Sequence, residues 1–395
     1  MVAISPARVA TASAVKAGFR PDVQALRAVA VLLVVLNHAH VPGLSGGYIG
    51  VDVFFVISGF LITGLLVKEQ ERTGTISIRT FYGRRMRRIM PAAALVLIAT
   101  VIASYQWLGY IRGAHIAEDA QWSSVFLANF HFASVGTGYL HATDAPSTLR
   151  HFWSLAVEEQ FYVVWPALFL LLGKVVKSRY RVVPVALIIV ASYGYSIVST
   201  RADATTAYFS PFTRACELAV GALLALLAGE TARLPGRVKT TLSALGMAGI
   251  VLAAVAFTAD TAFPGAAVAV PVLATGAVLA GGGSGLDRAY AVKPIQLIGL
   301  WSYSLYLWHW PVLTIVEQNL GHVPAPWIRG LLVLGSIALA AATYHLIENP
   351  IRNAVPLRRR AWLSIALGLA LVAAVVVVSA YEVGTHPAIP VHAAF

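Results

Sequence analysis

The chain has few charged residues and almost no cysteine, and each shortage excludes a class of protein. Only 12% of its 395 residues are charged, about half of the fraction found in soluble globular domains, so an ordinary water-soluble domain is excluded. The single cysteine, Cys216, cannot form a disulfide within the chain, and a metal site built from cysteines is excluded as well. No long polar stretch that could form a soluble domain separates the apolar segments.

The chain is instead rich in hydrophobic residues, which occur in long runs. Hydrophobic residues make up 58% of the chain, and the mean hydropathy is +0.75. An apolar run of roughly 17–25 residues spans a bilayer as a helix. The sequence therefore predicts an all-α integral membrane protein, a bundle of about eleven transmembrane helices. These lie near residues 24–42, 48–67, 91–111, 152–173, 182–199, 211–229, 240–258, 264–281, 294–318, 326–347 and 361–383.

The net charge of +12 would suit a nucleic-acid partner, but the placement of the basic residues argues against one. With the N-terminus in the cytoplasm, 24 of the 29 Lys and Arg residues fall on the inner side, as the positive-inside rule requires. The outer five are Arg112, Arg150, Arg201, Arg214 and Arg329. We therefore expect a multi-pass protein of the inner (plasma) membrane, with a cytoplasmic N-terminus, an extracytoplasmic C-terminus and no nucleic-acid partner.

The predicted helices divide the chain into five parts. These are a cytoplasmic tail (1–20), a ten-helix membrane domain (21–350), a basic cytoplasmic linker (351–360), an eleventh helix (361–383) and an extracytoplasmic tail (384–395). The eleventh helix has no charge within its apolar run, so we interpret it as an anchor. The longest predicted connections are the inner loop 68–90 and the outer loop 112–150.

Two polar residues stand out within the first predicted helix, Arg27 and His38. Eleven residues at about 100° each bring them to the same helix face, roughly 16 Å apart along the axis. Polar and ionisable groups inside a membrane are costly and point to function. The alternative for His38 is a structural hydrogen bond between helices.

Further polar residues gather near the predicted outer half of the membrane. Asp52 lies near the start of the second helix, and the adjacent Glu158 and Glu159 lie at the start of the fourth. In the ninth helix, Ser302, Tyr306 and His309 share one face. A histidine near a carboxylate can take a proton from a hydroxyl, so we expect His38 to act as general base, oriented by Glu158 or Asp52. The alternatives are a capping role for Asp52 and an interfacial aromatic belt around His309.

Four arginines in five residues, Arg84, Arg85, Arg87 and Arg88, precede Pro91 and the third predicted helix. This density exceeds what orientation of the chain requires. Lipid head groups are one ligand for such a cluster. The other is a phosphate-rich cytosolic ligand such as coenzyme A, held by guanidinium groups, whose long thin arm could carry a thioester along the face that holds Arg27 and His38.

These segments together resemble the acyltransferase-3 family of integral-membrane acyltransferases. The resemblance covers roughly residues 19–383 and rests on six ordered motifs. They are FRPDVQALRAVAVLLVVLNH, GGYIGVDVFFVISGFLITG, FYGRRMRRIMP, HFWSLAVEEQFYVVWP, YFSPFTRACELAVGALLA, and SYSLYLWHWP followed by ENPIR.

The resemblance implies an O-acyltransferase that moves an acyl group, usually acetyl, from cytoplasmic acyl-CoA to a hydroxyl of an extracytoplasmic or membrane-linked glycan. By motif match, His38 and Arg27 are the implied catalytic pair, Arg85 and Arg88 the implied donor-binding pair, and Glu158 the better of the two glutamates. Acyl-CoA is then a co-substrate, and neither a permanently bound cofactor nor a metal is implied.

The likeness is greatest to the subgroup that carries a C-terminal extracytoplasmic domain of the SGNH hydrolase type. The sequence ends at Phe395, so we expect that domain to be lost, omitted or replaced by a separate protein. Two other classes of function remain open on the sequence alone. One is a transporter or flippase of a lipid-linked sugar, against which the absence of a visible repeat counts, and the other is a non-catalytic partner of a separate acyltransferase.

Overall fold

The computed structural model describes residues 20–137, 145–177 and 180–385, and within these ranges the chain is helical and has no strands. The helices are α1 (Pro21–His38), α2 (Gly50–Thr73), α3 (Ile78–Leu108), α4 (Tyr110–Ser124), α5 (Ala128–Thr137), α6 (Phe152–Val175), α7 (Val182–Ala202), α8 (Ala204–Phe209), α9 (Pro211–Leu226), α10 (Ala228–Ala232), α11 (Gly236–Ala256), α12 (Ala269–Ala280), α13 (Asp287–Tyr290), α14 (Lys293–Leu320), α15 (Pro326–Thr343), α16 (Asn349–Asn353), α17 (Val355–Arg359) and α18 (Ala361–Thr385). Most of both predicted tails lies outside the described residues.

Nine helical segments in the described part of the chain are long and apolar enough to cross a membrane, which confirms an all-α protein with many membrane-spanning helices. Each of the eleven predicted spans coincides with a helix, but α12 and α14 are not among the nine. α12 has only 12 residues. α14 has 28 residues but carries serines, tyrosines and a histidine along its length. The count of eleven and the orientation of the termini therefore stay predictions.

The loop predicted at 68–90 is wrong, because helix occupies most of it. α2 continues to Thr73 and ends at Gly74, whose φ of 74° gives the left-handed conformation that terminates many helices. α3 begins soon afterwards, where the Ser77 hydroxyl accepts a hydrogen bond from the Thr80 amide at 3.4 Å. The arginine cluster therefore lies within α3. Pro91 also lies inside α3, so it does not mark the start of the helix.

The outer loop predicted at 112–150 is also more regular than expected. Its described residues form most of α4 and all of α5, with a short turn at 147–151 before α6. The linker predicted at 351–360 contains the short helices α16 and α17. The eleventh predicted helix, α18, packs against α3 and α4, so it contacts the rest of the bundle.

Small residues let the central helices approach closely. A Cβ atom added at Gly59 of α2 would overlap the Leu218 carbonyl oxygen of α9, and one added at Gly221 of α9 would overlap the Val56 carbonyl oxygen of α2. Within a membrane, such close backbone packing drives the association of helices. α1 packs between α2 and α14, which places Arg27 and His38 inside the bundle.

Candidate active site

Two cavities open towards opposite ends of α1. The arginine cavity has a volume of about 790 Å³ and lies beside the first half of α1, the end of α2 and the start of α3. Five basic side chains line it, against two acidic ones. The basic residues are Arg20, Arg27, Lys68, Arg85 and Arg88, and the acidic ones are Glu71 and Glu158.

Two of these arginines have no carboxylate partner among the described residues. Arg27 makes only a long hydrogen bond to Gln24, at 3.4 Å. Arg88 makes no hydrogen bond or ion pair with a residue that the structure describes, and the Glu348 carboxylate attracts both arginines only from beyond ion-pair distance. Guanidinium groups that face a cavity and make no ion pair favour an anionic ligand.

The other three arginines of the cluster are already paired. Arg85 lines the arginine cavity and also donates to Glu159 at 2.9 Å, with its guanidinium 3.7 Å from the centre of the Tyr162 ring. The other two lie on a different face of α3. Arg84 binds Glu69 at 2.6 Å, and Arg87 donates to the Leu357 carbonyl at 3.4 Å. Residues at i and i+3 share a helix face. Arg85 and Arg88 therefore both line the cavity, whereas Arg84 and Arg87 both lie outside it.

Glu158 also lines the arginine cavity, on its α6 wall. Its carboxylate accepts hydrogen bonds from the hydroxyls of Ser58 and Tyr162. The two adjacent glutamates have different partners, since Glu159 binds Arg85 and points elsewhere on the helix. Glu158 is therefore part of the cavity wall, and Glu159 holds one of the cavity's arginines.

The histidine cavity is the larger of the two, about 1150 Å³, and opens where α1 ends. His38 lines it, together with aromatic and amide side chains such as Trp107, Trp310 and Gln318. Arg112 contributes a guanidinium, which also binds Gln318 at 3.2 Å. Aromatic faces combined with amide and guanidinium donors can hold a polar molecule that carries hydroxyl groups.

A second histidine holds His38 in place. The Nδ1 atom of His38 lies 3.0 Å from the Nε2 atom of His309 on α14, and the two rings are almost parallel, at 3°. The Trp310 ring packs against His38 at 4.4 Å between centroids, and its indole nitrogen donates to the Ser147 carbonyl at 2.9 Å. His38 is therefore fixed by α14 and by the turn before α6.

The orienting role predicted for Glu158 or Asp52 is therefore wrong, because the partner of His38 is His309. Glu158 is engaged in the arginine cavity. Asp52 is fully buried and accepts a hydrogen bond from Arg214 at 2.8 Å. The same guanidinium binds Glu217 at 3.1 Å, so Asp52 joins α2 to α9.

Arg214, which the sequence prediction counted on the outer side of the membrane, makes a buried ion pair that the sequence prediction did not include. It lies in α9 with its side chain 1% exposed. The signal that identifies this ion pair is its spacing, since Glu217 follows Arg214 by three residues and so shares its helix face. The sequence prediction also did not identify Ser154 as a residue that lines the arginine cavity, and we see no sequence pattern that would have indicated it.

A thin layer of polar side chains separates the two cavities. Tyr306 and Ser154 line the arginine cavity and bind one another at 2.6 Å. His309 is fully buried, and its ring centroid lies 5.5 Å from that of Tyr306. Ser302 also faces the arginine cavity, and its buried hydroxyl has no partner among the described residues. The structure thus brings together all three predicted residues of α14.

No group of three or more His, Cys, Asp or Glu side chains suited to hold a metal ion occurs in residues 20–137, 145–177 and 180–385. The side chains that line the two cavities include arginine, histidine, carboxylate and hydroxyl groups. Unpaired cations line one cavity, and an imidazole lines the other. This arrangement can bind an anion on one side and accept a proton from a hydroxyl on the other.

Comparison with known proteins places this chain in a family. Residues 20–345 match a family model described as an acyltransferase domain. YrhL of Bacillus subtilis is 34% identical over 356 residues, covering 84% of this chain and 55% of the relative. The peptidoglycan O-acetyltransferase OatA of Listeria monocytogenes is 31% identical, covering 84% of this chain and 56% of its own length.

The O-acetyltransferase OatA of Staphylococcus aureus is 30% identical, covering 85% of this chain and 57% of the relative. The chain thus spans a little over half the length of these curated relatives. No solved structure matches the fold.

Proposed function

The chain belongs to the acyltransferase domain family, the acyltransferase-3 family that the sequence motifs indicate, and on that premise we propose that it is a membrane-bound O-acetyltransferase. The donor is acetyl-CoA or another acyl-CoA in the arginine cavity, and the acceptor is a glycan hydroxyl in the histidine cavity. The observation that carries the proposal is the pair of cavities, one with unpaired arginines and the other with a fixed imidazole. Two named relatives are O-acetyltransferases, one of them for peptidoglycan.

The arginine cavity suits the donor because coenzyme A combines several phosphates with a long, narrow arm. Arg88, together with Arg85, would bind phosphate oxygens. Arg27 lies further along α1 and would bind polar atoms of the arm. The thioester would then lie near Ser154, Ser302 and Tyr306, at the layer that separates the cavities.

At the other side of this layer, His38 acts as the general base. It takes the proton of the acceptor hydroxyl while that oxygen attacks the acyl carbon. The carbon–sulfur bond of the thioester breaks as the ester bond forms, and the proton is finally carried by the released thiol. Because Tyr306 and His309 separate the cavities, the acyl group must pass this layer during transfer.

We further propose that the arginine cavity faces the cytoplasm and the histidine cavity faces the outside of the plasma membrane. The basic residues near the start of α1 support this orientation, and acyl-CoA is a cytosolic metabolite. A separate SGNH-type domain, of the kind that the sequence resemblance implies, would be a partner on the outer side.

Transfer of radiolabelled acetyl groups from acetyl-CoA to soluble peptidoglycan fragments by the purified protein in liposomes tests the proposal. His38→Ala should lower the rate at least about 100-fold, the usual contribution of a general base. His40→Ala is the matched control. His40 lines the same cavity, but its side chain is exposed and its Nε2 atom faces Glu317 at 3.7 Å, so it does not share the buried contact of His38 with His309. Retention of the wild-type rate by His38→Ala would remove the proposed role, and sugar counterflow without acetyl-CoA would favour a transporter.

A further inference from the structure

Resting on this proposed function, we infer that His309 is a positioning residue that fixes the tautomer of His38 and directs its basic Nε2 atom towards the histidine cavity. The inference starts from a carbonyl oxygen. The Nδ1 atom of His309 lies 3.2 Å from the Leu305 carbonyl oxygen, one turn earlier on α14. A carbonyl oxygen only accepts hydrogen bonds, so this nitrogen of His309 carries a proton.

The remaining protons follow from this assignment. A neutral imidazole has one protonated nitrogen and one with a free lone pair, so the Nε2 atom of His309 is an acceptor. It lies 3.0 Å from the Nδ1 atom of His38, which must then donate. The Nε2 atom of His38 is consequently the one with the free lone pair, and His38 lines the histidine cavity.

The opposite arrangement is disfavoured by the same geometry. If His38 accepted at Nδ1, the Nε2 atom of His309 would carry the proton. The unprotonated Nδ1 atom of His309 would then face the lone pairs of the Leu305 carbonyl at 3.2 Å, and a buried acceptor would have no donor. Both rings are also held from outside the pair, since Trp310 packs on His38 and His309 is fully buried.

His309 therefore does for His38 what a carboxylate does in many hydrolases, which is to hold the imidazole in one tautomer and orientation. It does so without a negative charge. The neighbouring His151 does not compete for this role, because its Nε2 atom binds the Leu307 carbonyl at 3.1 Å. When His38 gains a proton at Nε2, the hydrogen bond to His309 still satisfies its Nδ1 proton.

Nitrogen NMR of the protein labelled with ¹⁵N-histidine tests the tautomer directly and does not depend on acetyl transfer. The His38 signal, assigned by its loss in His38→Ala, should show a protonated Nδ1 and an unprotonated Nε2. His309→Leu should abolish this preference. His309→Gln should keep it, because the side-chain amide can donate to Leu305 and accept from His38. A wild-type His38 protonated at Nε2 would overturn the inference.

Acetyl transfer gives the second readout. His309→Leu should lower the rate about 100-fold or more, and His309→Gln should lower it less than about 10-fold. Binding of coenzyme A should be unchanged in both variants, because His309 does not line the arginine cavity, and this shows that they are folded. Full activity in folded His309→Leu would refute the inference and leave the proposed function standing. Absence of acetyl transfer by the wild type would refute the function, while the NMR result would still stand.

Discussion

Replacing Arg88 by alanine should weaken the binding of coenzyme A about 10- to 100-fold. The magnitude follows from the surroundings of this side chain. Arg88 lines the arginine cavity and has no hydrogen bond or ion pair with the described residues, so its guanidinium is available to a phosphate. A hydrogen bond to a charged group contributes about 1.5–3 kcal/mol, and each 1.4 kcal/mol is a factor of ten in the dissociation constant.

Arg88 is a better target than Arg85 because it makes no ion pair with a described carboxylate, and the buried Glu348, which it stabilises from a distance, keeps an ion pair with Arg352 at 4.0 Å. Arg85→Ala would leave the buried carboxylate of Glu159 without its partner, and that would cost stability as well as binding. Loss of affinity in that variant would therefore have two explanations. In Arg88→Ala no ion pair among the described residues is broken.

The assay is titration calorimetry of the purified protein with coenzyme A, at two salt concentrations. Arg87→Ala is the matched control, since Arg87 lies on the same helix but donates to the Leu357 carbonyl outside the cavity. We expect Arg87→Ala to change the affinity less than about 2-fold, because Arg87 lies outside the cavity and its charge reaches the ligand only through screened interactions. Equal affinities of wild type and Arg88→Ala, or equal losses in the two variants, would refute the donor site.

Two further predictions concern the packing of the bundle. Gly59→Ala should destabilise the protein by about 1–3 kcal/mol, because the added Cβ atom would overlap the Leu218 carbonyl oxygen. Gly64→Ala on the same helix is the control and should be neutral, since its Cβ atom would meet open space. Thermal unfolding in detergent measures the stability of both variants. Arg214→Ala should cost about 3–5 kcal/mol, because it leaves two buried carboxylates without their cation. Asp52→Asn should cost less, and equal losses in the two variants would contradict this account of the ion pair.

The sequence was enough to predict most of the fold, because membrane helices are set by local composition. Each predicted apolar run coincides with a helix. The errors lie where helices continue into polar sequence, as at Arg84 to Arg88, since hydropathy cannot distinguish a polar helical turn from a loop. The apolar run at 294–318 predicts α14 correctly, although the polar face of α14 keeps it out of the nine described segments that are apolar enough to cross a membrane.

Candidate site residues could be chosen from the sequence, but their partners could not. Arg27 and His38 stood out because polar residues inside a membrane are rare. The sequence could not show that His38 meets His309, 271 positions further along the chain, or that Asp52 meets Arg214, 162 positions away. These contacts depend on how α1, α2, α9 and α14 pack, which periodicity within one helix does not specify.

The most direct test of the central claim is sidedness of the reaction in sealed proteoliposomes. The orientation of the protein is determined by protease cleavage of an N-terminal tag. Radiolabelled acetyl-CoA is supplied only on the side where α1 begins, and peptidoglycan fragments are supplied only on the other side. We predict labelled fragments in this arrangement, and none with His38→Ala. Labelling only when donor and acceptor are supplied on the same side would contradict the two-cavity account.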